Sequence, residues 1–345
     1  MIKRVISALL AFIILSSVCV SAAAENGPKL SRSKLLLSVG RSFKLKVSDT
    51  SKKVRWTSSD RKVATVSTKG TVKAKSAGKA VITAFVGKKK LTCRLSVKTL
   101  LVAHRGFSSE YPENTLKSFK AAFENGFDGI EIDLWESKNG DLMVFHDSYT
   151  SRMCSKKKLI WKINKNNRSR YPIVHGNGIE KYKGKKLLIP TLSETARLAA
   201  RYNGRLLLHI KTKKALGYEI SKEAPARIAK ILEKYGVAQK TTIFTRSKKV
   251  LKTFLKTGIK LGTTTTPDSK EDFKNTVKWC VKKGVKTLVV CNMTHFRKFF
   301  SLKKMADYCR DKELDYGIYT TLTSKEFYQL QSNGAHFSMS DYKLR

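Results

Sequence analysis

The chain changes its hydrophobic rhythm near residue 99. Over residues 35–97, runs such as FKLKV, VRWTS, VATVS, TVKAK, AVITAFV and LTCRLSV alternate apolar and polar positions and are cut by turns. Period-two alternation puts one face of each run in a core and the other in solvent, which predicts an all-β sandwich. Lys69-Gly70 and Ser76-Ala77-Gly78 mark tight turns, where glycine permits positive φ. Trp56 is expected as a core plug between the sheets. From Leu100 onward, apolar runs of about five residues alternate with helical stretches, as parallel β/α units require. The strands expected are LLVAH, GIEIDL, RLLLHI, TTIFT, IKLGTT, TLVVC, LDYGIY and AHFSM, with helices near 115–124, 192–201, 247–256, 271–282 and 324–331. Eight strands over residues 99–345 match the roughly 250 residues of a (β/α)8 barrel, with a doubly wound sheet as the alternative. Residues 148–186 have no clear period and are expected to form an insertion or a lid.

The first 24 residues have a different pattern. Lys3 and Arg4 precede a short apolar run that ends in Ala22-Ala23-Ala24, the composition of a secretory signal peptide. The expected division is therefore 1–24 signal peptide, 25–98 sandwich and 99–345 barrel, with the mature chain secreted or held at the cell envelope. Cys93, Cys154, Cys280, Cys291 and Cys309 are odd in number and scattered, which suits buried thiols better than a disulfide framework. The 70 Lys and Arg against 26 Asp and Glu give a net charge of +44. Both halves share the excess, since residues 25–98 alone hold 20 basic against 3 acidic residues. A field this positive attracts polyanions, so an anionic wall or membrane surface is the expected partner. No nucleic-acid-binding motif accompanies the charge, and no specific nucleic-acid partner is expected.

Candidate chemistry gathers at the ends of apolar runs. His104 closes the first strand of the second segment, Glu131 and Asp133 close the next, and His209 and Lys211 the third. In a barrel of this kind, working residues lie at the C-terminal ends of strands. Glu131 and Asp133 are two apart, so both project from one face. Paired carboxylates repel unless a cation lies between them, and either a divalent ion or a salt-bridge network with lysines would answer. His209 and Lys211 would face the same cavity. In GDLMVFHD, a further apolar run delivers His146-Asp147, and imidazole suits acid–base work near neutral pH. In PENT, Asn114 is expected to cap a helix starting at Thr115, and Glu113 to orient polar groups nearby.

HRG at 104–106, PENT at 112–115, DGIEIDL at 128–134, GDLMVFHD at 140–147 and IPTLSE at 189–194 together resemble the glycerophosphodiester phosphodiesterase family. Residues 30–97, with W-SSD-VATVS and its spaced glycines, resemble the bacterial immunoglobulin-like domain, group 2. The first resemblance implies a TIM-type barrel, a divalent metal and a glycerophosphodiester substrate cleaved to glycerol 3-phosphate and an alcohol. It implies His104 and His146 as the acid–base pair, Glu131 and Asp133 as metal ligands, and Arg105 and Lys211 as phosphate contacts. A third ligand position, glutamate in the family, is His209 here. Imidazole removes a negative charge and tilts the choice among calcium, magnesium, manganese and zinc toward manganese or zinc. Tyr319 stands where the family usually places a tryptophan and is expected to cap the substrate. The expected function is a secreted metal-dependent phosphodiesterase. Alternatives are a phospholipase C- or D-like or teichoic-acid-cleaving hydrolase, or a non-catalytic wall-binding protein with a degenerate metal site.

Overall fold

The computed structural model describes residues 27–291 and 300–344, the side chain of Lys214 excepted. The expected signal peptide, residues 1–24, lies outside the described residues. The first segment folds into two facing sheets. One runs Lys34–Ser38, Lys89–Lys98, Gly78–Val86, Val54–Ser58 in spatial order, and the other Ser42–Lys44, Thr71–Ala74, Ala64–Val66. Alternate residues such as Ile82, Ala84, Cys93, Leu95 and Val97 turn inward, as the period-two pattern requires. Trp56 departs from expectation. It is half-buried at the margin of the sandwich, its ring closing over Gly70, whose φ of 79° permits the turn beneath it.

The second segment is a closed barrel. Its strands are Leu100–Ala103, Gly129–Glu136, Arg205–Ile210, Thr241–Phe244, Lys260–Thr265, Thr287–Cys291, Asp315–Tyr319 and Phe337–Ser340. These eight are mutually parallel, with a short strand, Leu142–Val144, added antiparallel to the second, and the first strand pairs with both the second and the eighth, which excludes the open doubly wound sheet. The strands are apolar on both faces because both are covered. Ile130, Ile132, Leu134, Leu206, Leu208 and Ile210 pack in the cluster shared with the surrounding helices. Val102, Leu207, Phe244, Val289, Phe337 and Met339 fill the interior. Gly317 is required there, since a Cβ would lie 2.2 Å from the Phe337 ring. The interior cluster continues into Val39, Leu45, Ile82, Leu95 and Val97 of the sandwich, which closes the N-terminal end of the barrel.

Two helices escaped the sequence pattern, Ala224–Lys234 and Leu302–Asp311. In the second, Leu302, Met305, Ala306 and Cys309 form an apolar stripe at helical spacing, diluted by lysines. The expected helix over 247–256 is a short one, Lys248–Thr253, followed by a separate turn, Leu255–Thr257. Asn114 does not cap the first helix. Thr115 does, in a reciprocal box with Ser118, and the helix runs Leu116–Glu124. Among the described residues no helix is long and apolar enough to cross a membrane. Cys93, Cys154, Cys280 and Cys309 are buried free thiols, and Cys291 is half-buried.

Residues 148–186 are an insertion with a core of its own, not a loose lid. Met153, Ile160, Trp161, Ile163 and Ile173 pack against Trp135, Met143 and Phe145 of the barrel wall. Isolated bridges (Tyr149 with Leu159, Cys154 with Ile173, Ile173 with Leu187) and short 3-10 turns give it order without a periodic signal. Arg168 fastens it to the helix Leu192–Arg201 through a fork onto Glu194, at 2.6 and 2.7 Å. Trp161→Ala should cost about 3–5 kcal/mol in urea unfolding, the usual range for a buried aromatic, and should open residues 148–186 to protease. Unchanged stability and an unchanged cleavage pattern would mean that the insertion carries no packing of its own.

Candidate active site

The residues expected at strand ends converge on one pocket of about 70 Å3, a phosphate-sized hollow. His104, Arg105, Glu131, Asp133, His146, His209 and Tyr319 all line it. The turn that places the first of these is tight. Arg105 and Gly106 both have positive φ, 56° and 82°, and a Cβ on Gly106 would lie 2.3 Å from Ser118 Oγ. This turn aims the Arg105 backbone N–H at Glu131 Oε2, 3.2 Å away, and brings its Nε within 3.5 Å of Asp133.

Glu131 and Asp133 are 2% and 1% exposed, and their surroundings are built to tolerate them. Asn114, at φ 54°, donates to Asp133 Oδ2 at 3.0 Å, a buried contact in place of the cap expected of it. His209 Nδ1 and Lys211 Nζ lie 3.1 and 3.2 Å from Asp133 Oδ1. Lys211 thus pairs with a buried carboxylate that itself lines the pocket. Arg105 is likewise shared with Glu113, at 3.2 Å.

The two carboxyls are held in opposite states. Burial would raise both, but Lys211 and the His209 hydrogen bond keep Asp133 well below the usual range. Glu131, pushed by burial and by Asp133 itself, rises to about 7. A carboxyl raised in this way beside an ionised partner is a position short of positive charge. One ligand atom from each of Glu131, Asp133 and His209 lies within 4.8 Å of the others. Burial holds the His209 imidazole low, and the Asp133 bond offsets only part of this, so its neutral, ligating form is favoured. Two hard oxygens and a neutral nitrogen fit a divalent cation of intermediate hardness. The ring is fixed by stacking on Phe244, with centroids 4.9 Å apart.

The other two imidazoles share a different arrangement. His104 Nδ1 meets Asp341 at 2.9 Å, and His146 Nδ1 meets Asp147 at 2.6 Å. Each ring is thus braced on its outer nitrogen, leaving Nε2 as the nitrogen for chemistry. Burial alone lowers His104, but the Asp341 bond and the nearby Glu131 more than compensate and the net shift is upward. Arg152, from the insertion, joins Asp147 at 2.7 Å to Glu113 at 2.6 Å. Glu113 thereby orients both arginines. Asp341, Arg246 and Thr264 were not anticipated. Asp341 and Arg246 closely follow the eighth and fourth barrel strands, so the strand-end signal that picked out His104 applied to them too. Tyr319 lies 6.0 Å from the His104 ring and within 3.5 Å of Arg246.

With this geometry in view, the sequence relationships acquire a structural meaning. Residues 104–331 match the glycerophosphoryl diester phosphodiesterase family, and residues 29–95 match the bacterial Ig-like domain (group 2). The chain belongs to the glycerophosphoryl diester phosphodiesterase family, with an Ig-like domain ahead of the barrel. It is 52% identical over 56 residues to a glycerophosphodiester phosphodiesterase of Caldanaerobacter subterraneus subsp. tengcongensis, 16% of this chain and 23% of that protein. It is 45% identical over 62 residues to one from Bacillus altitudinis, 18% of this chain and 25% of that protein. These matches span about a quarter of the relatives' length. A phosphodiesterase of Oleispira antarctica, solved with sn-glycerol-3-phosphate, superposes with a TM-score of 0.59 at 22% identity, covering 72% of this chain and 94% of that one. A glycerophosphodiester phosphodiesterase of Thermotoga maritima gives 0.52 at 20%, covering 71% and 96%. At such identities the likeness is one of fold.

The raised Glu131 has a thermodynamic consequence in chelated protein. Its folded value of about 7 exceeds its ordinary 4.5, so the folded state binds the extra proton between those limits. Its contribution to stability is then present at low pH and is lost as pH rises through that window, on the order of 3 kcal/mol in total. Asp133, ionised in both states throughout the window, adds no slope. Comparing urea unfolding of wild type and Glu131→Gln from pH 4.5 to 7 isolates the effect. The wild type should lose stability relative to the variant, and an added divalent cation should restore it. Parallel curves would show Glu131 to be ordinary.

Proposed function

We propose that the chain hydrolyses glycerophosphodiesters to glycerol 3-phosphate and an alcohol. The reading rests on one observation: two imidazoles in a single pocket, each braced at Nδ1 by its own carboxylate, flank a buried acidic pair. A phosphodiester seated between them would meet a proton-transfer group on either side. His104, its pKa raised, holds a proton on Nε2 and delivers it to the leaving alkoxide. His146 accepts a proton from the attacking water, whose oxygen joins the phosphorus as the P–O bond to the departing alcohol breaks, and Asp147 stabilises the imidazolium that results. Arg105, held between Asp133 and Glu113, turns its fork toward the non-bridging oxygens and limits the charge that builds there. A divalent cation held by Glu131, Asp133 and His209 would supply electrophilic stabilisation to the same oxygens. Tyr319, which lines the pocket beside His104, would pack against the glycerol moiety.

Secretion is part of the proposal, supported by the basic, apolar and small-residue succession of residues 1–24. The net charge of +44 suits work at an anionic surface. The direct test is glycerol 3-phosphate release from glycerophosphocholine with calcium, magnesium, manganese and zinc in turn. Activity is expected with at least one ion. His104→Ala and His146→Ala should each lower kcat by about 10²–10⁴. A nitrophenyl leaving group, which needs no proton, should spare His104→Ala but not His146→Ala. Turnover near wild type in either variant removes that histidine from the mechanism. Inactivity with every ion, unrelieved by His209→Glu, would favour a binding protein instead.

A further inference from the structure

The N-terminal end of the barrel has a charge problem of opposite sign. A cleft of about 860 Å3 lies there between the barrel and the sandwich. Much of its charge is matched. Lys62 pairs with Asp311 at 2.8 Å, Lys75 with Glu313 at 3.9 Å, and Lys260 with Asp315, which also holds His336 at 3.2 Å. Arg205 and Lys240 of its lining are not matched, and neither is Arg41 of the sandwich, which lies beside the cleft. Arg41 Nη2 donates to the Asn203 carbonyl at 3.4 Å, the Lys240 ammonium to the Asn203 side-chain oxygen, and Arg205 Nη2 to the Val39 carbonyl at 3.2 Å. Every acceptor is neutral. Arg205 Nε is buried without a hydrogen-bond partner. Among the described residues no carboxylate forms an ion pair with any of the three cations.

These cations come from two domains and converge on one seam. Arg41 belongs to the sandwich, Arg205 begins the third barrel strand, and Lys240 precedes the fourth. Gly40 lets them approach, since a Cβ there would lie 2.9 Å from Arg205 Nη2. Burial and then the charge of Arg41 push both Arg205 and Lys240 downward; Asp315 and Asp128 act on Arg205 in the other direction without cancelling it. Asp128 is engaged elsewhere, accepting from the Leu101 N–H at 2.9 Å. Like charges facing each other across a docked interface oppose docking unless an anion lies between them.

We propose that this seam is a binding site for a phosphate-class oxyanion, clamped by Arg41 from the sandwich and by Arg205 and Lys240 from the barrel. The chemical class follows from the donors. Two guanidinium forks and an ammonium offer more N–H groups than a carboxylate has acceptor sites, and they match a tetrahedral dianion. The ligand therefore fastens the sandwich to the barrel. A free phosphate monoester and a phosphate group within an anionic polymer present the same oxygens. The site lies at the opposite end of the barrel from the catalytic pocket and does not depend on the activity proposed for it.

The experiment compares thermal unfolding of the full chain in sodium phosphate and in sodium chloride at equal ionic strength. Ligand linkage should raise the wild-type melting temperature in phosphate by roughly 2–8 °C. Arg41→Met with Lys240→Met should melt higher than wild type in chloride, since the repulsion is gone, and should lose most of the gain in phosphate. A rise in chloride cannot come from misfolding, so failure to fold does not mimic the result. Lys185→Met with Lys186→Met removes the same charge from an exposed loop and should behave as wild type. Three results would each overturn the site: a full phosphate gain in the Arg41/Lys240 variant, no rise for it in chloride, or equal loss of the gain in the loop variant. Glycerol 3-phosphate and a glycerol-phosphate oligomer, titrated by calorimetry into wild type and seam variant, separate the sources. Seam-dependent heat from the first marks a free monoester, and from the oligomer alone a polymer.

Discussion

Two carboxylates buried side by side on one barrel strand set the terms for the rest of this site. An ionised carboxyl removed from water is costly unless hydrogen bonds and opposite charge replace its hydration. Around Glu131 and Asp133 those replacements come from three places in the chain: the Arg105 turn, Asn114, and the neighbouring strand with His209 and Lys211. The left-handed backbone at Arg105, Gly106 and Asn114 is part of the same arrangement, since an ordinary turn would carry these donors past the strand end. Lys211 is spent on Asp133, while Glu131 retains an upward shift. The imbalance between the two carboxyls is what leaves room for a cation, and His209 gives that position a nitrogen where an oxygen would hold a harder ion.

The barrel makes such a concentration of charge possible by separating its two faces. Every second residue of a strand points outward into apolar helices, and every other one points inward. Toward the N-terminal end the interior positions are apolar and merge with the core of the sandwich, which acts as a floor. Toward the C-terminal end they become polar and open to the pocket. One continuous apolar plug therefore lies between the acidic site above and the basic seam below. This separation lets two unlike electrostatic problems exist in one domain without cancelling each other.

The insertion links the pocket to the periphery. Its Arg152 ties Asp147, the brace of His146, to Glu113, which in turn holds Arg105. The position of the imidazole and that of Arg105 are thus fixed through one shared carboxylate. A segment without periodic sequence contributes order by side-chain packing around Trp161 and by the Arg168–Glu194 fork.

Much of this was legible in the sequence. Eight apolar runs of strand length predicted the barrel because strands buried on both faces must read as continuous apolar text. His104, Glu131, Asp133, His146 and His209 stood out because ionisable groups at the ends of such runs need a reason to be there. Asp341 and Arg246 stand at the ends of such runs too, just past the eighth and fourth strands. Other features were beyond any one-dimensional pattern. Asn114 serves Asp133 and not the helix next to it, Lys211 meets that same carboxylate, and residues 148–186 form a core. Local spacing determines which face of a strand or helix a side chain occupies, so the sequence decided the elements and the residues at their ends. Which donor meets which acceptor depends on segments distant in the chain arriving at one point, and only the closed barrel, with the sandwich beneath it, decided that.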